Sequence, residues 1–148
     1  MTTQSIVAEY DLPHSVAKVW RALTEPKLVS AWLMTTDISA EVGHKFTFQA
    51  QPMGDWDGVV RCEVLEVIPG KRFRYSWVGG KNIPDKYVTA LDSVVDWTLT
   101  PTTTGGTLLR LEHSGFTAAN AMAYEMMGKG WRGHVRERME TLLSEMLG

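Results

Sequence analysis

Apolar and polar residues alternate along five short stretches of the chain, and this period of two constrains the fold more than any other feature. Successive side chains of a β-strand point to opposite sides, so alternation buries one face of a sheet and leaves the other in water. The apolar positions are Ile6, Ala8, Tyr10 and Leu12; Phe46 and Phe48; Phe73, Tyr75 and Trp77; Val95, Trp97 and Leu99; and Leu109 and Leu111, which His113 follows. The pattern predicts an antiparallel sheet covered on one side.

The predicted strand between residues 59 and 68 breaks this alternation once. Val60, Cys62 and Val64 share one parity, whereas Leu65 and Val67 carry the apolar role on the other. One extra residue near positions 64 and 65 would bring both halves onto the same face of the sheet. We therefore predict a β-bulge at this point, which would bend and curl the sheet.

Helical spacing appears only near the two ends of the chain. Apolar residues from Val16 to Leu23 recur every three or four positions, which predicts a helix capped by His14 or Ser15. Proline is favoured in the first turn of a helix, so Pro26 predicts the start of a second short helix.

The C-terminal segment has the pattern of an amphipathic helix long enough to cover the sheet. Its apolar residues, spaced by three or four, are Trp131, Val135, Met139, Leu142 and Met146. Glycine weakens a helix, so we expect a break or kink near Gly128 and Gly130.

Composition narrows the class of protein. The chain has 148 residues, of which 44% are hydrophobic and 22% charged, as in an ordinary globular protein, and we interpret residues 1–148 as one domain. The net charge of −2 argues against nucleic-acid binding, and no apolar run is long enough for a membrane span. The lone Cys62 cannot form an internal disulfide, and no signal peptide is recognisable, so we expect a cytoplasmic protein.

Several motifs have simpler explanations than the chemistry they suggest. Gly128, Gly130 and Gly133 spell G-x-G-x-x-G, but no strand leads into them, which argues against a nucleotide site. The four histidines lack metal-ligand spacing, and the acidic stretch 55–58 reads as a turn rather than a calcium loop. No G-x-S-x-G elbow is present. We expect no cofactor, no metal and no catalytic residue recognisable from a motif.

Bulky rings dominate the predicted inward face, and three methionines, Met122, Met126 and Met127, precede the last helix. Rings and flexible thioethers line apolar ligand pockets, but they also fill cores, and from composition alone a packed core is the more common case. His113 continues an apolar series. It is either a structural histidine with ordinary hydrogen bonds or a polar anchor inside a cavity.

These elements, taken in order, resemble the helix-grip fold of the START/SRPBCC superfamily, and more narrowly its branch of homologues of the activator of heat-shock-protein ATPase. The matching residues span nearly the whole chain: Val19 to Thr24 with Pro26 and Trp32, Gly43 with Phe46 and Phe48, Val64 to Val67 with Pro69, Tyr75 to Trp77, Gly106-Thr107, His113 to Phe116, and Gly130-Trp131.

The resemblance implies an α+β fold in which a curved antiparallel sheet wraps around a long C-terminal helix, with two short helices after the first strand. It also implies an apolar cavity between sheet and helix, which the loop from Gly79 to Asp92 would rim. The residues that would bind a small hydrophobic molecule there are Phe48, Tyr75, Trp77, Trp97, His113, Met126, Met127 and Trp131.

Three functions remain open on this basis. The first is binding of a small hydrophobic or aromatic molecule, with His113 or Tyr75 fixing a polar end. The second is a cyclase- or dehydratase-type enzyme that uses polar groups in the cavity, for which His113 would need a carboxylate such as Asp96 within reach; strand parity puts these two on opposite faces. The third is a co-chaperone-like partner that acts through its outer surface.

Overall fold

The computed structural model describes residues 3–51, 58–79 and 91–146, and its centre is an antiparallel sheet. Seven strands lie in the order β1-β7-β6-β5-β4-β3-β2. Their bounds are β1 Gln4–Leu12, β2 Thr35–Thr36, β3 Lys45–Gln49, β4 Val59–Ile68, β5 Arg72–Gly79, β6 Leu91–Pro101 and β7 Thr107–Phe116. Four helices complete the α+β helix-grip fold: α1 Val16–Thr24, α2 Pro26–Trp32, α3 Ala121–Arg132 and α4 His134–Glu145.

Burial along the strands follows the alternation of apolar and polar residues in the sequence. In β1, β3, β5, β6 and β7, the predicted inward residues are at most 5% exposed. Their neighbours in sequence face the other side and are half-buried or exposed. One face of the sheet thus forms the core, as predicted.

The two short helices follow β1 as their sequence signals predict. Of the two candidate caps for α1, Ser15 is the one used, because its Oγ accepts the main-chain N–H of Lys18 at 3.2 Å. Pro26 occupies the first turn of α2. The indole N–H of Trp32 donates to the carbonyl of Ala22 at 2.7 Å, and this buried bond ties α2 to α1.

The predicted β-bulge is present in β4. Val64 pairs with Tyr75 and Glu66 pairs with Arg74, so two steps along β4 match one step along β5. Leu65 is the extra residue and is 41% exposed. The bulge lets Val64 and Val67 face the same side although they are three positions apart.

The C-terminal helical segment bends at Gly133, between α3 and α4. The prediction of a break near Gly128 and Gly130 is wrong by a few residues, since both lie inside α3. At Gly133 the chain leaves helical geometry, with φ −110° and ψ −105°. A Cβ there would lie 2.8 Å from the carbonyl oxygen of Lys129, which no side chain tolerates without a shift.

Gly128 has a different role from the one its helix propensity suggested. It is buried, and a Cβ on it would come within 4.0 Å of Ile6 on β1 and 3.2 Å of Arg132. The first of these is an ordinary van der Waals distance and the second involves the far end of a flexible side chain, so Gly128 marks where α3 packs against β1. Trp131, one turn later, lies over the inner face and is 3% exposed.

Two sequence predictions fall partly or wholly outside the described residues. Most of the predicted turn between Met53 and Gly58 lies outside the described residues, and so does most of the loop predicted from Gly79 to Asp92. The ends of that loop are not loop, because Gly79 closes β5 and Asp92 lies in β6.

Candidate functional site

Six of the eight predicted site residues meet on the inner face of the sheet. They come from four strands and one helix, and each is at most 4% exposed: Phe48, Tyr75, Trp77, Trp97, His113 and Trp131. The ring of Trp77 links three of them, with centroids 5.2 Å from Phe48, 5.3 Å from His113 and 5.9 Å from Trp131. Residues distant in sequence thus form one continuous aromatic surface.

The two methionines of the predicted site separate. Met127 packs against the core and is half-buried. The structure does not bring Met126 to the inner face: it is 52% exposed on the outside of α3, where Met122 is 57% exposed. Consecutive helical residues point about 100° apart, so a prediction that places both on one wall fails for one of them.

His113 lies in the middle of a linear chain of three buried hydrogen bonds. The indole N–H of Trp131 donates to Nδ1 of His113 at 3.2 Å, so the imidazole proton belongs on Nε2. Nε2–H then donates to Oγ of Ser93 at 2.9 Å, and the Ser93 hydroxyl donates to the carbonyl of Trp77 at 2.8 Å. We call Trp77, Ser93, His113 and Trp131 the histidine cluster.

This chain holds the imidazole neutral and in one tautomer. Burial lowers the pKa of His113 to about 3, because no charged group compensates the loss of hydration. Asp96, the carboxylate considered for an enzyme, lies on the other face and binds Arg72 at 2.6 and 3.0 Å. Both ring nitrogens of His113 are therefore occupied, and neither is available for proton transfer.

A second group of rings covers β3 and β5. Phe46, Phe48, Phe73 and Tyr75 form what we call the tyrosine cluster. The Tyr75 ring lies 5.4 Å from Phe46, 6.0 Å from Phe48 and 5.3 Å from Phe73, measured between centroids. Its hydroxyl oxygen accepts the indole N–H of Trp97 at 3.1 Å, and burial raises the pKa of this phenol well above its usual range.

Sequence reasoning missed one polar member of the site. Ser93 is 3% exposed and joins His113 to the backbone of β5. It shares the parity of Val95 and Trp97, so alternation within β6 was a signal that could have identified it. Its place directly after the predicted loop from Gly79 to Asp92, before the first residue assigned to the alternation of β6, hid that signal.

No described residue that is buried as a whole carries a formal charge. Among the described residues the buried polar side chains are Ser93, Thr107, His113 and Asn120, and none of them is acidic or basic except the neutral imidazole. Burial also raises the pKa of the Cys62 thiol, to about 12, so the thiol stays protonated. Within the described ranges no group of three or more potential ligands could hold a metal ion, and no helix there is long and apolar enough to cross a membrane.

Comparison with known proteins gives one family. The model of the family described as Activator of Hsp90 ATPase homolog 1-like protein matches residues 13–144. No curated protein matches the chain significantly.

Solved structures with the same fold extend over nearly the whole chain. Protein MLL2253 from Mesorhizobium loti is 41% identical, with 98% of this chain and 100% of that chain covered and a TM-score of 0.84. Protein BH1534 from Bacillus halodurans is 26% identical, with 97% and 99% covered and a TM-score of 0.75. CalU16 from Micromonospora echinospora is 25% identical, with 97% and 78% covered and a TM-score of 0.73.

Proposed function

The chain belongs to the family of Activator of Hsp90 ATPase homolog 1-like proteins, and on that premise we propose that it binds a small hydrophobic or aromatic molecule between the sheet and the C-terminal helices. The observation that carries this proposal is the uncharged aromatic inner face, built from β3, β5, β6, β7 and α3. Sites for small apolar molecules are lined mostly by rings, with a few polar groups that set orientation.

The absence of buried charge decides between classes of ligand. A charged ligand would lose its hydration in this interior, and the described residues offer no buried partner of opposite charge. A neutral ring system loses little hydration and gains roughly 25 cal/mol for each Å² of apolar surface that it buries. The inner face therefore favours neutral aromatic ligands.

In this proposal one cluster contacts the ligand and the other is packed by the protein itself. In the histidine cluster, Trp131 of α3 packs on Trp77 and Trp97 at 5.9 and 5.6 Å, so that end is filled by the protein's own rings. The tyrosine cluster receives its ring contacts from the sheet and from Trp20 of α1, which touches Phe73. We place the ligand against the tyrosine cluster, with Met127 and the histidine cluster as neighbouring walls.

Binding of the neutral dye N-phenyl-1-naphthylamine tests the proposal. We expect its fluorescence to rise with the protein, and the melting temperature to rise with dye concentration, because a ligand that binds only the folded state stabilises it. Phe46→Trp adds ring atoms to the inner face and should weaken binding about tenfold.

The matched control is Val42→Trp, which adds the same ring at a position that is 67% exposed. It should leave dye affinity unchanged. A wild-type protein that neither binds the dye nor gains thermal stability from it would contradict the proposal.

Contact with a protein partner is the second candidate function. It is favoured by Met122 and Met126, which lie one helical turn apart on the outside of α3 and are more than half exposed. The family description suggests the assay, which is the ATPase rate of a purified Hsp90 chaperone with and without this chain. Stimulation that is lost in the Met122→Ser, Met126→Ser double variant, but kept in Val42→Ser, would support this function; no stimulation by the wild type would contradict it.

A further inference from the structure

The described tyrosines use their hydroxyl groups in two ways. Tyr10 donates to the main-chain carbonyl of Trp131, and Tyr124 donates to a main-chain carbonyl of β1. Tyr75 instead accepts a hydrogen bond, from Trp97. No described residue accepts a hydrogen bond from the Tyr75 hydroxyl.

This unused donor is deeply placed. Tyr75 is 1% exposed, and a buried phenol O–H normally has an acceptor, because burial without one sacrifices the hydrogen bond that water would supply. The phenol cannot relieve this by ionising, since burial raises its pKa. Within the described ranges the hydrogen of this phenol therefore has no acceptor from the chain.

The surroundings of the Tyr75 ring are also unusual for this core. Its ring contacts come only from strands, namely from Phe46, Phe48 and Phe73. By contrast, Trp97 on the neighbouring strand is covered by Trp32 of α2 and Trp131 of α3. No ring of the four described helices contacts Tyr75, so the part of the inner face that holds the unused donor has no aromatic contact from a helix.

Other buried polar groups do not compete for the same role. His113 uses both ring nitrogens, and the Ser93 hydroxyl both accepts and donates. Cys62, which lies close enough to Tyr75 to influence its ionisation, has a weak S–H donor and a sulfur that is only a weak acceptor. Arg74 Nε is also buried without a partner, but Arg74 belongs to the other face of the sheet. Among the described residues of the inner face, Tyr75 is thus a strong donor that remains unused.

We propose, on the basis of the binding function above, that the Tyr75 hydroxyl donates a hydrogen bond to a carbonyl oxygen of the ligand, and that the ligand is a neutral aromatic ketone or quinone. The rings of Phe46 and Phe48 hold its aromatic part. The carbonyl accepts without carrying charge, which suits an interior that has no buried cation. Tyr75 is a specificity-determining residue in this arrangement.

Two planar probes of similar shape test the inference, 2-acetylnaphthalene and 2-isopropenylnaphthalene, in which a CH2 group replaces the carbonyl oxygen. The wild-type protein should bind the ketone about fivefold to tenfold more tightly than the hydrocarbon, as expected for one added buried hydrogen bond. Tyr75→Phe should abolish this preference by weakening ketone binding, while binding of the hydrocarbon stays within about twofold. Tyr10→Phe is the matched control and should keep the preference, because its hydroxyl already has a partner in the chain.

An infrared measurement on the wild type keeps the test independent of variant folding. The carbonyl stretch of carbon-13-labelled 2-acetylnaphthalene should move to lower frequency on binding, as it does when a phenol donates to it. Equal affinities for the two probes, or an unshifted carbonyl band in the bound state, would overturn this inference and leave the binding function intact. Failure of both probes to bind would overturn the binding function itself.

Discussion

The histidine cluster and the tyrosine cluster lie on the same face of the same sheet, are equally buried and are both aromatic. They differ in whether their polar groups have hydrogen-bond partners and in which elements supply the neighbouring rings. In the histidine cluster each side-chain N–H, O–H and ring nitrogen of Ser93, His113 and Trp131 has a partner, and a helix supplies the closing ring. In the tyrosine cluster a strong donor has no acceptor among the described residues, and every ring that packs on Tyr75 comes from a strand. Hydrogen-bond accounting therefore separates a structural cluster from a candidate binding surface where burial cannot.

Truncating the closing ring should have the largest effect. Trp131→Ala removes a buried indole and leaves Nδ1 of His113 without its donor, so we expect the free energy of unfolding to fall by about 4 kcal/mol or more. Phe73→Ala in the tyrosine cluster removes a buried ring without orphaning a polar atom and should cost about 3 kcal/mol. Urea unfolding measures both; an equal or smaller loss for Trp131→Ala would break the distinction between the clusters.

Acid should weaken the histidine cluster specifically. The folded pKa of His113 is about 3, below its ordinary value of 6.5, so the unfolded state binds the proton more readily. Stability is full above pH 6.5 and falls as the pH drops towards 3, by close to 1.4 kcal/mol per pH unit, or about 3 kcal/mol at pH 4.5.

His113→Gln should remove this contribution and flatten the dependence of stability on pH between 6.5 and 4.5. His134→Gln, on the exposed start of α4, is the control and should keep the wild-type dependence. If His113→Gln has the same slope as the wild type, the imidazole is not held neutral by its burial.

Removing the Ser93 hydroxyl should have an intermediate effect. Ser93→Ala leaves the Nε2–H of His113 buried without an acceptor, which should lower the free energy of unfolding by about 2 kcal/mol. Ser144 is a control, because it lies on the exposed side of α4 and bonds only within its own helix. Chemical denaturation of Ser93→Ala and Ser144→Ala compares them, and a neutral Ser93→Ala would show that the chain through His113 is dispensable.

The smallest expected differences concern the two buried phenols. Tyr10→Phe removes a hydrogen bond to Trp131 and should cost about 1 kcal/mol. Tyr75→Phe also costs about 1 kcal/mol in the free protein, because Trp97 loses its acceptor. Saturating 2-acetylnaphthalene should increase the difference in stability between the wild type and Tyr75→Phe, but not that between the wild type and Tyr10→Phe. Thermal unfolding with and without the ketone measures this. An equal change of melting temperature in both variants would contradict the contrast between the phenols.

Alternation predicted the sheet and the burial of His113 because both depend on a purely local rule, the two-residue period of a strand. The same rule predicted the bulge, since a one-residue shift in the apolar pattern is most simply accommodated by one extra residue in the strand. It did not reveal that His113 bonds to Ser93 and Trp131, because those partners lie 20 and 18 residues away and meet only through the sheet and the return of α3.

The helical end was predicted less well. Glycine propensity alone ranks Gly128, Gly130 and Gly133 equally, and only the tertiary contacts of each position show that Gly133 is the break. The exposure of Met126 has a similar origin. A cluster of methionines predicts an apolar surface, but which methionine faces the sheet depends on how α3 is rotated about its axis. That rotation depends on how α3 packs against β1, a strand more than 100 residues earlier in the chain.

The bulge at Leu65 separates the composition of the core from the curvature of the sheet, two properties that usually change together. If Leu65 were deleted, Val64 would still face inward, Glu66 outward and Val67 inward, so the core would keep its composition while β4 lost its local kink. The curvature of this wall is therefore encoded by chain length rather than by the chemistry of any side chain. A relative of this protein could flatten the wall that carries Tyr75 by a single-codon deletion, without replacing any side chain of the tyrosine cluster.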